Sequence, residues 1–291
     1  MFKILLINGL IIGGVYGLIA LGYSLIYRAS GLMSFAQGDM ITLGAYLGLT
    51  FYSILGLPFF LSFILTFACA FIVGVLLEKG VIRALLNKSV LPIYIVLATI
   101  AISYIIQNAT QALFGTTTLR FPQVFSTATL TISGITAQTE AFACLVISLA
   151  LMFLLHLFMT KTKFGTAMRS AAMDPLAAES CGINTSMSTG ITWALAAAIA
   201  SIAGMLLGPM YGVYTTLGSV VGRKGFAGAV VGGYGNMYGA MVGGIILGLV
   251  ETFVAGYWTG TYKNLIAYAI LILFLFVKPT GIFNEKAIQD V

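Results

Sequence analysis

Charge is what this sequence has least of. Asp, Glu, Lys and Arg make up 8% of its 291 residues, roughly a third of the ~25% usual in a soluble domain. That shortage excludes an ordinary globular enzyme, a disordered chain and a nucleic-acid binder. Histidine occurs once, at His156. With no Ser or Asp constellation around it, His156 reads as a structural residue. GxSxG, HExxH and a pair of membrane-depth aspartates are absent, so no catalytic residues are assigned. The Walker pattern GxxxxGK[ST] is also missing, so the chain does not bind ATP by that route. The three cysteines, Cys69, Cys144 and Cys181, form no spaced cluster, which argues against a disulfide framework or a metal site.

What is present is apolar. Hydrophobic residues account for 60% of the chain and the mean hydropathy is +1.05. The net charge of +6 comes from basic residues scattered singly between apolar runs, as cytoplasmic anchors of membrane spans are. The runs predict spans near 4–27, 35–56, 58–78, 91–114, 139–159, 187–212, 238–258 and 264–279. The first follows Lys3, is too long for a signal-peptide core and lacks a small-residue cleavage site, so it stays as a span. A Gly-rich piece at 225–237 is too short to cross as a helix and reads as a half-helix or re-entrant element.

Basic loops at 79–90 and 160–186, with Lys278 and Lys286 in the tail, face the cytoplasm by the positive-inside rule, and 115–138 faces outward. An even number of crossings must then separate 187 from the tail. Three obvious runs are odd, so 225–237 must supply the missing passage. Counting backward puts Met1 outside and Arg28 inside, with Tyr257 and Trp258 at the outer interface. Glycines repeat every four residues at Gly9/Gly13/Gly17, Gly204/Gly208/Gly212 and Gly235/Gly239/Gly243. Such stripes let backbones approach closely in lipid, within one subunit or across a dimer seam.

The loop 160–186 is too patterned for a tether. Asp174-Pro175 is a helix start, an acceptor at the N-cap and a fixed φ at N1. Gly182 with Ile183 is a helix stop. A helix this short needs something to pack against. Ala171, Ala172, Ala177 and Ala178 would leave it a shallow face for another protein, or the helix would lie on the membrane surface.

The run Lys163–Arg169 (KFGTAMR), Asp174-Pro175 and Gly182-Ile183-Asn184 resembles the cytoplasmic coupling loop of branched-chain amino acid ABC transporter permeases. Gly13–Tyr27, Ser34–Tyr46, Ala203–Tyr211, Gly225–Gly235, Gly239–Glu251 and Lys278–Phe283 look like further blocks of that family, in its order and over nearly the whole chain. The chain looks more like the first of the two paired permeases, the one without a long N-terminal extension. The resemblance implies an all-α polytopic membrane bundle, a type II-like ABC importer permease, as a single domain over 1–291 with the coupling loop 160–186 inside it. It implies a bacterial plasma (inner) membrane location. Its partners would be a second permease (a paralogue or an identical copy), two cytoplasmic ATPases and an extracytoplasmic solute-binding protein, with lipid around the bundle. No cofactor would sit on this chain; ATP and Mg would be used by the ATPases. Gly165, Arg169, Asp174, Pro175, Ala178, Gly182 and Ile183 would belong to the ATPase-docking element. The sequence departs from the family where its usual Asn before Phe-Ala is Ser34 and its common His before Gly is Gln37.

Those departures lie near the expected path, for which Ser34, Gln37, Asp39, Gln107, Gln111 and Glu251 are the candidates. Carboxylates at membrane depth face a cavity or a partner. Asp39 reads either as a path acid or as a helix-start cap after Gly38, and Glu251 either as a path acid or as a buried structural one. Gln107 and Gln111 share a helical face, lining a wet surface or lying at the interface. Segments 35–48 and 225–239 repeat a theme of Phe-Ala, glycines, then Gly-Ala, a weak pointer to a pathway. The cargo expected from the resemblance is an amino acid, branched-chain or similarly apolar. The alternatives are urea, amides or another small neutral solute on the same machine, or a self-sufficient secondary transporter or channel.

Overall fold

The computed structural model describes residues 1–283 apart from 89, 123, 125–128, 133–134, 259 and 279; the expected tail anchor Lys286 lies outside the described residues. Where apolar runs are uninterrupted, helices run through them. The long ones are α1 (Phe2–Ser30), α3 (Phe59–Leu77), α5 (Pro92–Phe114), α6 (Thr139–Lys161), α9 (Thr185–Tyr211), α11 (Met237–Tyr257) and α12 (Lys263–Val277). With its short extensions, each is long and apolar enough to cross a membrane. α3 continues through a π turn, Glu78–Ile82, into α4 (Arg83–Leu86). α2 (Ala36–Leu49) likewise continues through a π turn, Thr50–Ile54, and supplies a further, more polar crossing. Proline marks two starts: Pro58 precedes α3 and Pro92 opens α5, where its missing N–H costs nothing. Strands β1 (Thr129–Ile132) and β2 (Ile135–Gln138) pair as an antiparallel hairpin inside the outer loop, an element the sequence did not announce in an otherwise helical chain.

Side-chain contacts give each helix its direction. Leu249 and Thr252 approach Gly9, Ile245 approaches Gly13 and Met241 approaches Gly17, so α11 runs antiparallel to α1. Leu145 and Ser148 meet Gly14 and Met152 meets Gly17, so α6 runs parallel to α1. α2 and α9 run together, Gln37 against Ala196, Met40 against Ser201 and Gly48 against Met205. α3 descends against α9, with Gly74 at Ala194 and Glu78 at Gly190. Arg28, Lys79, Arg83, Lys88, Lys161, Lys163, Arg169 and Lys278 therefore gather at one end of the bundle, which the positive-inside rule assigns to the cytoplasm. Tyr257 and Trp258, 61% and 76% exposed, lie at the other end, where amphipathic rings favour the interface.

The missing passage is α10, Leu217–Gly232. It starts eight residues earlier than the expected 225. Ser219, Arg223 and Lys224, following Thr215 and Thr216, make its first half too polar to read as a buried helix. At 16 residues it is about 24 Å long, short of the ~30 Å hydrocarbon core. Gly218 lies against Gly38 and Thr42 of α2, while Gly232 lies against Gly239 at the start of α11. α10 thus runs from beside the beginning of α2 to the cytoplasmic end, and residues 212–216 return the chain from the outer end of α9. Leu119 of the outer loop bridges Val213 in that return.

α9 is the central post: 89% of its apolar window is buried, against 6% for the last span. The helices around it approach one another through glycine. A Cβ on Gly13 would stand 2.7 Å from the Ile245 carbonyl oxygen, and one on Gly228 2.7 Å from the Gly244 Cα. In lipid, association depends on such backbone approach rather than on removing apolar surface from water. The glycines of the three repeats are used inside this chain: Gly9, Gly13 and Gly17 face α6 and α11, Gly204 faces α2, Gly208 faces Phe121, and Gly239 and Gly243 face α10. Gly212 and Gly235 sit in turns with φ of +73° and +100°. The seam these stripes form is internal.

A polar junction, an outer cavity and a cytoplasmic elbow

The starts of α2 and α10 meet, and Asp39 is between them. Asp39 is 2% exposed and makes no capping bond on its own helix, so the helix-cap reading fails. Its carboxylate instead accepts from Ser103 Oγ and Gln107 Nε2 (3.0 Å) on α5 and from Ser219 Oγ (3.3 Å) on α10. Gln107 Nε2 also donates to Ser219 Oγ at 2.8 Å. Asp39 and Ser219 each lie in the first turn of their helices, whose partial positive ends favour an anion. Neutral donors and two helix ends, not a cation, hold this carboxylate. Thr42 Oγ1 accepts the Gly218 N–H at 2.8 Å, so α2 caps α10 across 176 positions of sequence. α10's other end is also closed by residues outside its own segment: the N–H groups of Ile282 and Phe283 donate to its last carbonyls, Val231 and Gly232, at 3.0 and 3.2 Å.

Nearer the outer side, Lys224 Nζ and Glu251 Oε1 form an ion pair at 2.6 Å, with side-chain exposures of 5% and 4%. The Lys224 ammonium also stands 5.7 Å from the centre of the Tyr16 ring. Glu251 Oε2 is buried, and the Tyr16 hydroxyl lies against the same carboxylate. Glu251 forms part of the wall of a cavity of about 450 Å³ at the outer ends of α1, α6, α9 and α11 and the start of α12.

The six expected path residues fall in three places. Asp39 and Gln107 are brought together. Gln37 is 2% exposed and donates to the Ala196 carbonyl at 2.8 Å, and Ser34 is buried in the turn before α2. Glu251 sits apart in the outer cavity. Gln111 is exposed near the outer end of α5 and does not join Gln107. Ser103, Ser219 and Lys224 were missed. Ser103 stands one turn before Gln107, a spacing visible in sequence, whereas Ser219 and Lys224 depended on seeing α10. Among the described residues no cluster of three or more metal-ligating side chains occurs.

At the cytoplasmic end, α7 (Lys163–Met173) and α8 (Pro175–Ser180) form an elbow. Gly165 packs so closely on Phe158 and Met159 that a Cβ would strike their backbone, and Thr162 caps α7 by accepting the Gly165 N–H at 3.0 Å. Asp174 Oδ1 accepts the Ala177 N–H at 2.9 Å, the cap that the Asp-Pro pair predicts. At the other end Ile183 N–H reaches Ala178 O (3.0 Å) and Gly182 N–H reaches Glu179 O (2.9 Å). With Gly182 at φ +81°, this is the paired closure of a left-handed glycine stop. The alanine face is not as expected: Ala171 and Ala178 are 7% and 4% exposed, spent on the chain's own packing. What α8 presents instead is Asp174, Pro175, Leu176 and Ala177, with Met173 beside them; Leu176 is 78% exposed. Arg169 is partly buried, its Nε lacking a partner, so it belongs to the base of the elbow and not its tip. Arg83, which the sequence offered only as a basic-loop residue, ties this end together. Its guanidinium grips both oxygens of buried Glu78 (2.8–3.0 Å) and donates to the Ser186 carbonyl at 2.6 Å. His156 pairs with the Tyr238 hydroxyl at 2.7 Å.

A family model described as the permease component of the branched-chain amino acid transport system matches residues 5–275. The chain is 32% identical to the high-affinity branched-chain amino acid transport system permease protein BraD of Pseudomonas aeruginosa, over 98% of this chain and 97% of that one. It is 31% identical to LivH of Escherichia coli, over 98% and 96%. It is 29% identical to a probable LivH of Methanocaldococcus jannaschii, over 96% and 92%.

Proposed function

The chain belongs to the branched-chain amino acid transport permease family, a multi-pass inner-membrane transport subunit and not an enzyme, and from that membership we propose that it forms part of an amino acid path worked by separate ATPases. The cargo we assign is a branched-chain or similarly apolar amino acid, the substrate class named for its relatives. The permease is a type II-like importer subunit. It pairs with a second permease, docks two cytoplasmic ATPases that consume ATP and Mg, and receives solute from an extracytoplasmic binding protein.

The observation that carries this reading is the cytoplasmic elbow. A six-residue helix is unstable alone, yet this one is capped at both ends and offers Leu176 to the aqueous side. A channel or self-sufficient carrier has no use for such a projection. We assign Asp174, Pro175, Gly182 and Ile183 to shaping the docking helix, Ala178 and Gly165 to seating it, and Arg169 to its base. When the ATPase moves the elbow, the motion passes through α7 to α6 and through residues 184–186 to α9, the post against which α2 and α3 pack. The buried acids and amides at the α2–α10 junction are the residues we place along the path.

Leu176→Glu together with Asp174→Ala tests the assignment. The pair removes the cap, worth about 1 kcal/mol, and charges the exposed tip without touching a buried residue. The assembly is expected to insert normally while binding-protein-dependent uptake and stimulated ATP hydrolysis fall more than tenfold together. Wild-type uptake by that variant refutes docking through α8, and uptake by this chain alone under an ion gradient refutes the ATP-driven reading.

A further inference from the structure

We propose that the outer cavity holds a phosphate anion of net charge −1, the headgroup of an anionic phospholipid such as phosphatidylglycerol, with its oxygens on the Lys263 ammonium. Three charged side chains belong to this region. The Glu251 carboxylate is fully engaged: Lys224 Nζ stands 2.6 Å from one oxygen and the Tyr16 hydroxyl lies against the same group. It offers the cavity nothing. Lys263 is half-buried on the wall. Among the described residues the ion pairs are Arg83–Glu78 and Lys224–Glu251, so no carboxylate meets Lys263. It is also close enough to Lys224 for the two ammonium groups to repel. The wall therefore carries one uncompensated positive charge beside a low-dielectric interior, where an ammonium gains more from an anion than it does in open water.

Only a ligand of net negative charge cancels that excess; a zwitterion or a neutral solute leaves it in place. A phosphodiester carries one negative charge at neutral pH. Asn8 and Tyr211 add an amide and a phenol to the wall, partners for the hydroxyls of a glycerol headgroup. The volume of about 450 Å³ falls in the range of small-molecule sites, ~300–1,000 Å³. Free phosphate offers the same oxygens, but the surroundings favour a lipid. Lys263 opens α12, the span whose apolar window is least buried, at 6%, and Leu265, two residues on, is 64% exposed. Tyr257, Trp258 and Tyr262 are exposed at the same end, where amphipathic rings mark headgroup depth. A phospholipid can place its phosphate on Lys263 and lay its chains along α12. The inference holds whatever the cargo.

The test uses the whole transporter with its partner subunits, stripped of lipid in neutral detergent. Phosphatidylglycerol, phosphatidylethanolamine and phosphatidylcholine with identical chains are titrated in, and retained lipid is counted by native mass spectrometry. A phosphatidylglycerol with a photoreactive headgroup locates the molecule by peptide mapping. Labelling is expected within residues 8–12 or 255–263. The wild type is expected to hold phosphatidylglycerol there about fivefold more tightly than the two zwitterionic lipids, the contribution of one lysine to an anionic headgroup. Lys263→Met should lose both the label and the preference. Lys263→Arg should keep them, and so should Lys161→Met at the cytoplasmic end. Inorganic phosphate, added without lipid and then against the labelled lipid, separates the two sources. Failure to displace the label assigns the site to the lipid. Displacement, with thermal stabilisation of the wild type and not of Lys263→Met, assigns it to the free anion and overturns the lipid half. Equal retention of the three lipids with no effect of phosphate, or labelling that persists in Lys263→Met, overturns the proposal altogether. The headgroup series on the wild type decides even where a variant fails to assemble.

Discussion

Removing one partner of the Lys224–Glu251 pair should cost more than removing both. At 2.6 Å and an effective dielectric near 20, the attraction is about 6 kcal/mol. Burying the two ions costs several kcal/mol each. The pair is therefore close to neutral against apolar residues of the same size, while a lone buried charge is not. Lys224→Met leaves the Glu251 carboxylate without its counter-ion in an interior 4% exposed, and the expected loss is about 3–5 kcal/mol. Lys224→Met/Glu251→Leu keeps the volume and removes both charges, and should lie within about 1.5 kcal/mol of wild type. Reversible unfolding of the reconstituted chain in mixed micelles, titrated with dodecyl sulfate, reads both. A single variant that loses under about 1 kcal/mol, or a double variant as unstable as the single, refutes the view that the pair is held by mutual neutralisation.

Two further outcomes follow from contacts elsewhere. Gly13→Leu drives a side chain into the Ile245 backbone, 2.7 Å from where a Cβ alone would stand, and should separate α1 from α11; bifunctional thiol crosslinking between Phe2→Cys and Phe253→Cys, at positions whose native rings stand 5.3 Å apart, should fall sharply. Arg83→Ala leaves Glu78 buried and unpaired and frees the Ser186 carbonyl, for a loss of about 2–3 kcal/mol. Hydrogen exchange should then rise at residues 184–188 and stay unchanged at the outer end of α9; uniform exchange at both ends would refute a local clasp.

Much of this architecture was legible because lipid imposes simple rules. Apolar length located the spans, basic loops gave their direction, and the parity of crossings demanded a passage, expected at 225–237. The Asp174-Pro175 cap and the Gly182-Ile183 stop were legible because they satisfy their own backbone within a few residues. The start of α10 was not, since its capping partner Thr42 is in another helix and its polar first half hid it from any hydropathy reading. The alanines of the elbow misled for a related reason. Small residues mark close packing without saying whether the neighbour is another protein or the same chain, and Ala171 and Ala178 turn out to face inward. Gln107 and Gln111 share a helical stripe, but α2 covers only one of them. The buried acids were visible as anomalies; their partners Ser103, Ser219 and Lys224 come from other helices, a pairing no local pattern encodes.

α10 can be completed only late in the life of the nascent chain. Its opening N–H waits on a hydroxyl already translated, but its final carbonyls wait on Ile282 and Phe283, some fifty positions downstream. Until those residues emerge, a fragment ending at α11 or α12 leaves peptide oxygens unsatisfied at the inner rim of the bundle. A polypeptide interrupted before Ile282 and Phe283 therefore carries a loose inner half-helix, while one that reaches them does not.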